Sequence, residues 1–371
     1  MKPSVGPPVK RIAVLFGGRS AEHEVSVVSA RSVIDALDPE RFAAVPIGIA
    51  KDGSWHLMAG PPALQPGAGR LPGVEDGAGT AVELDRTAGA GETALVGADG
   101  SREPVDVVFP LLHGPFGEDG TIQGMLELAG IPYVGAGVLA SALGMDKALQ
   151  KVVLAANGIP VVPHVVVPER DWEDDPEDVE AKAAHLGFPL FAKPAALGSS
   201  VGIAKVKRPE DLRPALEEAF RFGPKALLER SVEGAREIEC GVLGNDDPVA
   251  SVAGEILPSG EFYDYAAKYL DEATRLVIPA DLSKPVAEEV QRLAVAAFRA
   301  IDCEGMARVD FFLRDPDELI LNEINTIPGF TEVSMYPKLW AASGVAYAEL
   351  VDRLVELAVE RHDREAKRAT R

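Results

Sequence analysis

Only two cysteines, Cys240 and Cys303, occur among the 371 residues. That excludes a disulfide framework and a cysteine-built zinc cluster. Long hydrophobic runs are missing too. The apolar stretches at residues 12–16 and 165–167 fall far short of the roughly 18 residues a membrane span requires. Lys2, Lys10 and Arg11 precede the first stretch, but it stops at Gly17, too early for the apolar core of a secretory signal. A soluble, cytoplasmic protein with no membrane partner is expected. Basic charge is also scarce. With 37 basic against 58 acidic residues the formal net charge is −21, so a general nucleic-acid-binding surface is not expected. A phosphate site in such a chain has to be built by a few specific cations against an unfavourable field.

What is present is ordinary globular composition, 47% hydrophobic and 26% charged. At roughly 100–200 residues per domain, the length suggests two or three domains. Residues 12–16 read as a strand ending at Gly17 and Gly18. Ser20 is placed to cap the next helix, where Val25, Val28, Val33, Ala36 and Leu37 recur at helical spacing. Strand, glycines and helix in that order open a parallel α/β unit. Residues 59–104 are rich in Gly, Ala and Pro with weak periodicity, and read as a mostly surface excursion in which a hairpin is one option. A strand at 105–112, a loop at 113–120, a helix at 121–129, a strand at 131–134 and one helix over 138–157 follow.

The next stretch reads as a small α+β unit, with strands at 161–167, 188–193, 203–206 and 226–229 and helices at 176–186 and 209–220. Beyond it come strands at 237–243 and 249–256 and a polar, Tyr-rich segment at 260–271. A helix over 283–300 opened by Ser283, a hairpin of 306–313 with 318–324, and a final helix at 347–361 complete the chain.

The hairpin carries the most chemistry. Arg308 and Asp310 are two apart and share one strand face, as do Glu323 and Asn325. If the hairpin is symmetric about Pro316 and Asp317, Asp310 faces Glu323 and Arg308 faces Asn325. Opposed carboxylates repel. A cation between them turns that cost into a site, and two carboxylates with an amide oxygen suit Mg²⁺ completed by phosphate and water. Two solvated carboxylates on an open sheet face are the alternative, which the apolar flanks Phe311, Phe312, Leu319 and Leu321 argue against. Lys193 ends an apolar strand just before the small-residue loop 197–202, where backbone N–H groups can approach an anion. The loop is not the GxxxxGK[ST] phosphate loop, and an ordinary turn remains the other reading. Lys268 and Tyr269 lie in a segment with three tyrosines in seven residues. It is either a packed cluster or a lid that brings a cation and a hydroxyl over a reaction centre. Glu22 and Glu24 start a helix, where acids also serve as dipole partners. His113 follows a strand at the edge where ligands of parallel sheets sit. Glu229, Glu237 and the backbone N–H of Gly329 complete the candidates.

Taken together and in order, these pieces resemble the D-alanine–D-alanine ligases of the ATP-grasp superfamily. The matching segments are Glu22-His-Glu-Val-Ser26, His113-Gly-Pro-Phe-Gly-Glu-Asp-Gly120, Met145-Asp-Lys147, Lys193-Pro194 with Gly198-Ser-Ser-Val-Gly202, Phe262-Tyr-Asp-Tyr265 with Ala267-Lys-Tyr269, Arg308-Val-Asp310, and Asn322-Glu-Ile-Asn-Thr326 with Pro328-Gly329. The likeness spans about residues 11–360. It implies an α/β and α+β architecture: an N-terminal parallel α/β substrate domain over 1–144, then a two-part ATP-grasp fold with a central subdomain over 145–232 and a C-terminal one over 233–371.

It also implies ATP-dependent, ADP-forming ligation of two D-alanines through an acyl phosphate, for peptidoglycan precursors. By the same resemblance Asp310, Glu323 and Asn325 hold two Mg²⁺ ions, which Mn²⁺ can replace. Lys147, Lys193, Ser200 and Lys268 serve the phosphates, and Glu229, Val232 and Glu237 contact adenine and ribose. Arg308 and the Gly329 N–H stabilise the oxyanion. Glu24 pairs with the ammonium of the first D-alanine and joins Ser199 and Tyr269 in a hydrogen-bonded set that closes the lid. Ser334 and Met335 receive the carboxylate of the second D-alanine, and His113 lies near both substrates. A homodimer is implied as well. Tyr269 leans towards an amine acceptor, with D-alanine–D-lactate ligation or another ATP-grasp carboxylate ligase as the alternative. A dinucleotide oxidoreductase would need a complete GxGxxG after the first strand, and a non-catalytic nucleotide-binding regulator would bind ATP without D-alanine-stimulated ADP formation.

Overall fold

The computed structural model describes residues 9–62, 72–75, 78–85, 94–198, 201–257, 275–314 and 316–368. Three sheets follow one another along the chain. The first is built from β1 (Lys10–Gly17), β2 (Phe42–Ile49), β3 (Trp55–Leu57), β4 (Thr80–Leu84), β5 (Ala94–Gly97), β6 (Arg102–Pro104) and β7 (Val107–Pro110), in the order β6-β5-β4-β3-β2-β1-β7. Helix α1 (His23–Ala36) connects β1 to β2. β1 lies parallel to β2 and β7, whereas β2 through β6 pair antiparallel. The expected parallel core is therefore there, but the stretch read as a surface excursion supplies an antiparallel wing instead. Its strands are three to five residues long, too short for alternation to show in a Gly- and Ala-rich sequence.

Alternation along β1 divides the core in two. Ile12, Val14 and Phe16 join a cluster with Val27, Ala30 and Val33 of α1. Ala13 and Leu15 face Ile122 and Leu126 of α2 (Thr121–Leu128). A strand buried on both faces reads as a continuous apolar run, as this one does. Residues 131–134 form no strand; Tyr133 makes one bridge to Val108. The single helix expected over 138–157 is two, α3 (Val138–Met145) and α4 (Lys147–Ala156).

The second sheet holds β8 (His164–Pro168), β9 (Leu190–Pro194), β10 (Ala204–Val206) and β11 (Lys225–Arg230), in the antiparallel order β10-β9-β11-β8. Helices α5 (Glu169–Asp174), α6 (Pro176–Leu186) and α7 (Leu212–Phe220) accompany it, and α6 and α7 bury Val179, Ala183, Leu212 and Leu216 with Leu190 and Ala192. Residues 231–235 lead to the third sheet, β12 (Arg236–Gly244), β13 (Val249–Leu257), β14 (Arg275–Val277), β15 (Gly305–Arg314) and β16 (Glu318–Asn325), in the order β14-β13-β12-β15-β16. Helix α8 (Lys284–Ala300) packs on it through Val290, Leu293, Ala297 and Phe298. Ser283 occupies its N-cap position without a side-chain capping bond.

Helices α9 (Met335–Ala342) and α10 (Tyr347–Ala366) end the fold. Leu350, Val351, Leu354 and Val355 of α10 share the cluster of Ile12 and Phe109, so the last helix roofs the first sheet. Arg361 donates to the carbonyls of Tyr133 and Gly135 from within that contact. Sequence periodicity had not marked β2, α5 or α9 as elements. No helix among the described residues is long and apolar enough to cross a membrane.

Candidate active site

The β15–β16 hairpin places Asp310 opposite Glu323 and Arg308 opposite Asn325. The expected register is present at the site, though not for the expected reason. Nearer the turn the pairs are Arg314–Glu318, Leu313–Leu319, Phe312–Ile320 and Phe311–Leu321, one residue away from symmetry about Pro316 and Asp317. Asn322 is then the extra residue of a β-bulge, and it restores the pairing just before Glu323. β16 is the edge strand of its sheet, and an open edge needs cover. Helix α4 and the segment after it supply that cover. Lys151 Nζ donates to the Asn322 carbonyl at 2.7 Å, and Gln150 bonds both the N–H and the C=O of Ile324 at 3.2 Å. The Leu321 N–H reaches Pro160 O at 2.8 Å.

Asp146 makes α4 a separate helix. Its backbone is extended and its carboxylate accepts from the N–H groups of Ala148 and Leu149, each at 3.1 Å. An Asp that caps competes with helix continuation at the same position. The break starts α4 at Lys147, whose Nζ lies 3.2 Å from Glu323 Oε2 and donates to Leu197 O at 2.9 Å. Burial disfavours the Lys147 charge, but Glu323, together with Glu229 and Glu118, outweighs this and holds the ammonium above its usual range.

Arg308 forks onto Asp310 with two bonds of 2.8 Å and also meets Glu239 Oε2 at 2.9 Å. Asn325 Nδ2 donates to Asp310 Oδ2 at 2.9 Å. Burial opposes the Arg308 charge, yet Asp310 and Glu239 together raise it well above its ordinary range. Glu239 was missed by sequence reasoning; it stands on β12 opposite Asp310 in register and thus on the same face.

A second ionic group lies beside the first. Glu229 on β11 is buried and is ion-paired with Lys193 on β9 and with Lys151, whose Nζ is 2.5 Å from Glu229 Oε1. Burial would push the Glu229 carboxyl up, but the two lysines hold it at about 2. This carboxylate, the one expected to meet adenine or ribose, is ion-paired with both lysines. Val232 lies in the connection between the second and third sheets, and Glu237 is on β12 opposite Phe312 and Ile256.

On the amino-terminal side, Glu22 and not Glu24 faces inward. A Cβ added at Gly114 would lie 2.8 Å from Glu22 Oε2, and one at Gly198 would lie 3.1 Å from it. The loop after β7 and the loop after β9 therefore both close on this carboxylate where they carry glycine. Glu24 instead pairs with Lys51 at 2.9 Å on a partly exposed edge, so it does not join the cleft groups. Two residues apart in a first helical turn, the two acids point to different sides. Ser20 does not cap α1; its hydroxyl donates to His113 O at 2.6 Å and accepts from the Glu22 N–H at 3.1 Å. His113 is buried, with Nδ1 3.1 Å from Ile327 O and Nε2 3.4 Å from Ser29 Oγ. Burial pushes the imidazole below its usual range despite Glu22 nearby, so it acts as a neutral link between β7 and the loop after β16.

Glu118, also missed, accepts from the Gly114 N–H at 2.7 Å. Desolvation, reinforced by Glu22, pushes its carboxyl up from 4.5 to about 8. A carboxyl raised on folding binds its proton more tightly in the native state, so its contribution is full below pH 4.5 and lost as pH rises through about 8. Glu118→Gln should flatten that decline. Urea midpoints across the interval that fall equally steeply in both proteins would refute this account.

Ser334 is the N-cap residue of α9, and its Oγ lies 2.8 Å from Thr331 Oγ1 and accepts from the Thr331 N–H at 3.1 Å. Met335 opens the helix with its side chain packed against Ile256 and Leu339, leaving its backbone N–H as the group that can serve an anion. Gly329 lies between Ile327, whose carbonyl faces His113, and the buried Phe330. Ser199, Ser200, Lys268 and Tyr269 fall outside the described residues, as do the whole Tyr-rich segment at 260–271 and position 315 of the hairpin turn.

Known proteins carry the same arrangement of segments. The family model for the D-ala D-ala ligase N-terminus matches residues 11–136, and that for the C-terminus matches residues 153–356. A protein of Thermoanaerobacter sp. (strain X514) named D-alanine–D-alanine ligase is 50% identical over 361 residues, covering 96% of this chain and 99% of its own length. The chain belongs to the D-alanine–D-alanine ligase family. Another such relative, from Streptomyces coelicolor, is 51% identical over 368 residues, covering 95% of this chain and 93% of its own. Among solved structures, the D-alanine–D-alanine ligase of Coxiella burnetii superposes with a TM-score of 0.85 at 38% identity, covering 97% of each chain. The VanG D-Ala:D-Ser ligase of Enterococcus faecalis gives 0.81 at 35% identity, covering 95% of this chain and 100% of its own. As a member of this family the chain is an ATP-grasp ligase: an α/β N-terminal part is followed by the two sheets that make up the ATP-grasp.

Proposed function

We propose that this chain joins two D-alanines into D-alanyl-D-alanine, a building block for peptidoglycan, with ATP converted to ADP and phosphate. The carboxylate of the first D-alanine attacks the γ-phosphate, giving an acyl phosphate and ADP. The amine of the second attacks that carbonyl and forms the C–N bond, and the tetrahedral centre collapses: the acyl C–O bond breaks, phosphate leaves with its electron pair, and the amine nitrogen gives up a proton. The single observation that carries the reading is the facing of Asp310 and Glu323 across a buried hairpin, with Arg308, Asn325 and Lys147 in contact.

Asp310, Glu323 and Asn325 offer two carboxylates and an amide oxygen on one sheet face, a hard donor set suited to Mg²⁺. When bound there, the ion would neutralise charge building on the transferred phosphoryl group. Lys147 and Lys193 add positive charge from α4 and β9. Arg308, anchored by Glu239, is placed to meet the oxyanion of the second step, and Gly329 offers a backbone N–H to the same centre. Glu22, wedged between two glycine loops, is better placed than Glu24 to accept the ammonium of the first D-alanine. The start of α9 at Ser334 and Met335 suits the carboxylate of the second. We place the substrate part within residues 1–144 and the two nucleotide-gripping parts within 145–232 and 233–371.

The test is ADP release with D-alanine alone, then with D-alanine plus D-serine or D-lactate, and with L-alanine as a control. Release with D-alanine alone, yielding the dipeptide, is expected. ATP binding without D-alanine-dependent ADP release would point to a non-catalytic binder, and a requirement for D-lactate would move the chain to ester-forming ligation.

A further inference from the structure

Lys151 is the feature the reaction scheme leaves unused. It is fully buried, and burial pushes its ammonium below the usual range. Lysine is almost never enclosed in this way unless it is paired. It sits one helical turn after Lys147, so the two ammonium groups leave α4 on the same side. Lys147 goes to Glu323. Lys151 goes to Glu229 Oε1 at 2.5 Å and to the carbonyl of Asn322, the bulge residue, at 2.7 Å. The other oxygen of Glu229 is taken by Lys193.

We propose that Lys151 is a positioning residue of the phosphate site: it neutralises Glu229 so that Lys193 can serve the nucleotide phosphates, and it fixes the bulge that sets Glu323 against Asp310. The inference rests on the proposed ATP-dependent function. The charge count carries it. Glu229 with Lys193 alone is a neutral pair, and a phosphate would have to compete with a buried carboxylate for its cation. With Lys151 present the group is a net monocation, and Lys193 keeps attraction for an anion. The same ammonium secures the backbone carbonyl next to Glu323, so one side chain ties the nucleotide-side lysine to the paired-carboxylate strand.

The experiment compares binding of ATP and of adenosine, without divalent ions, to the intact parent chain and to Lys151→Met, Lys151→Arg, Glu229→Gln and the double variant Lys151→Met/Glu229→Gln. Adenosine has the base and sugar but no phosphate, so the ratio of the two affinities reads the phosphate contribution. Lys151→Met should weaken ATP binding by about tenfold and leave adenosine within about twofold. Adding Glu229→Gln should restore most of the ATP affinity, because Lys193 is released from its partner. In turnover, the KM for ATP should rise while that for D-alanine stays near the parent value, and Lys151→Arg should recover much of the loss. A merely structural lysine predicts otherwise: ATP and adenosine lose affinity together, and the second substitution rescues nothing. Either that pattern or unchanged ATP binding in Lys151→Met overturns the proposal. If Lys151→Met does not fold, Glu229→Gln alone decides, with tighter ATP binding expected and unchanged or weaker binding overturning it. A parent that binds no ATP removes the proposed function itself. A parent that binds ATP but ignores D-alanine removes the ligation and leaves the role of Lys151 standing on the affinity ratio.

Discussion

Glu323→Gln should lower D-alanine-dependent ADP release by about a thousandfold or more, since phosphoryl transfer relies on positioning and charge neutralisation rather than covalent help. The substitution keeps the shape of the side chain and removes its charge. Two consequences follow from the geometry. Asp310 loses the opposed carboxylate that makes this sheet face attractive to a divalent ion. Lys147 loses its carboxylate partner at 3.2 Å and keeps the Leu197 carbonyl. The Mg²⁺ concentration needed for residual turnover should rise, while far-UV circular dichroism stays that of the parent. Turnover within a fewfold of the parent would falsify the assignment of Glu323 as a metal ligand.

Arg308→Met should strike stability and catalysis together. Arg308 is the shared counter-ion of Glu239 and Asp310, and taking one member from a buried ionic group costs about 3–5 kcal/mol. Loss of one preorganised donor to an oxyanion lowers turnover by about 10²–10³-fold. The two effects separate in Arg308→Met/Glu239→Gln. With the buried carboxylate of Glu239 neutralised, much of the lost stability should return in urea titrations, whereas turnover should stay low. Parallel recovery of both would mean that Arg308 acts on the fold alone. Arg308→Lys should fall between, because an ammonium cannot reproduce the forked contact with Asp310.

Particular residues show what the sequence disclosed and what it withheld. Period-2 spacing put Arg308 with Asp310 and Glu323 with Asn325 on shared faces, and burial of the flanking Phe311 and Leu321 made the pairing consequential. The bulge at Asn322 was illegible, since no glycine or proline marks it. It is held by Gln150 and Lys151, more than 170 residues earlier. The break at Asp146 could have been read, because an Asp followed by a fresh helical face is an N-cap signal. Lys151 could have been found as well: Lys147, Lys151 and Leu154 fall on one face of α4, and a lysine on the buried stripe of an amphipathic helix asks for a partner. The choice between Glu22 and Glu24 could not be read from spacing. It depends on glycines in two loops about 90 and 175 residues away, at Gly114 and Gly198. The antiparallel wing was hidden by short strands, and His113 shows its neutral, linking character only once Ile327 is beside it.

The end of the chain is fastened over its beginning. Arg41 holds Asp352 and Glu356, and Arg361 reaches Tyr133 and Gly135 while its guanidinium stacks on the Tyr133 ring. During synthesis the first sheet emerges long before the helix that shelters its Ile12, Val14 and Phe109 face. Until α10 has emerged as well, α1 alone shelters that apolar face, and completion of the amino-terminal core has to wait for that later helix.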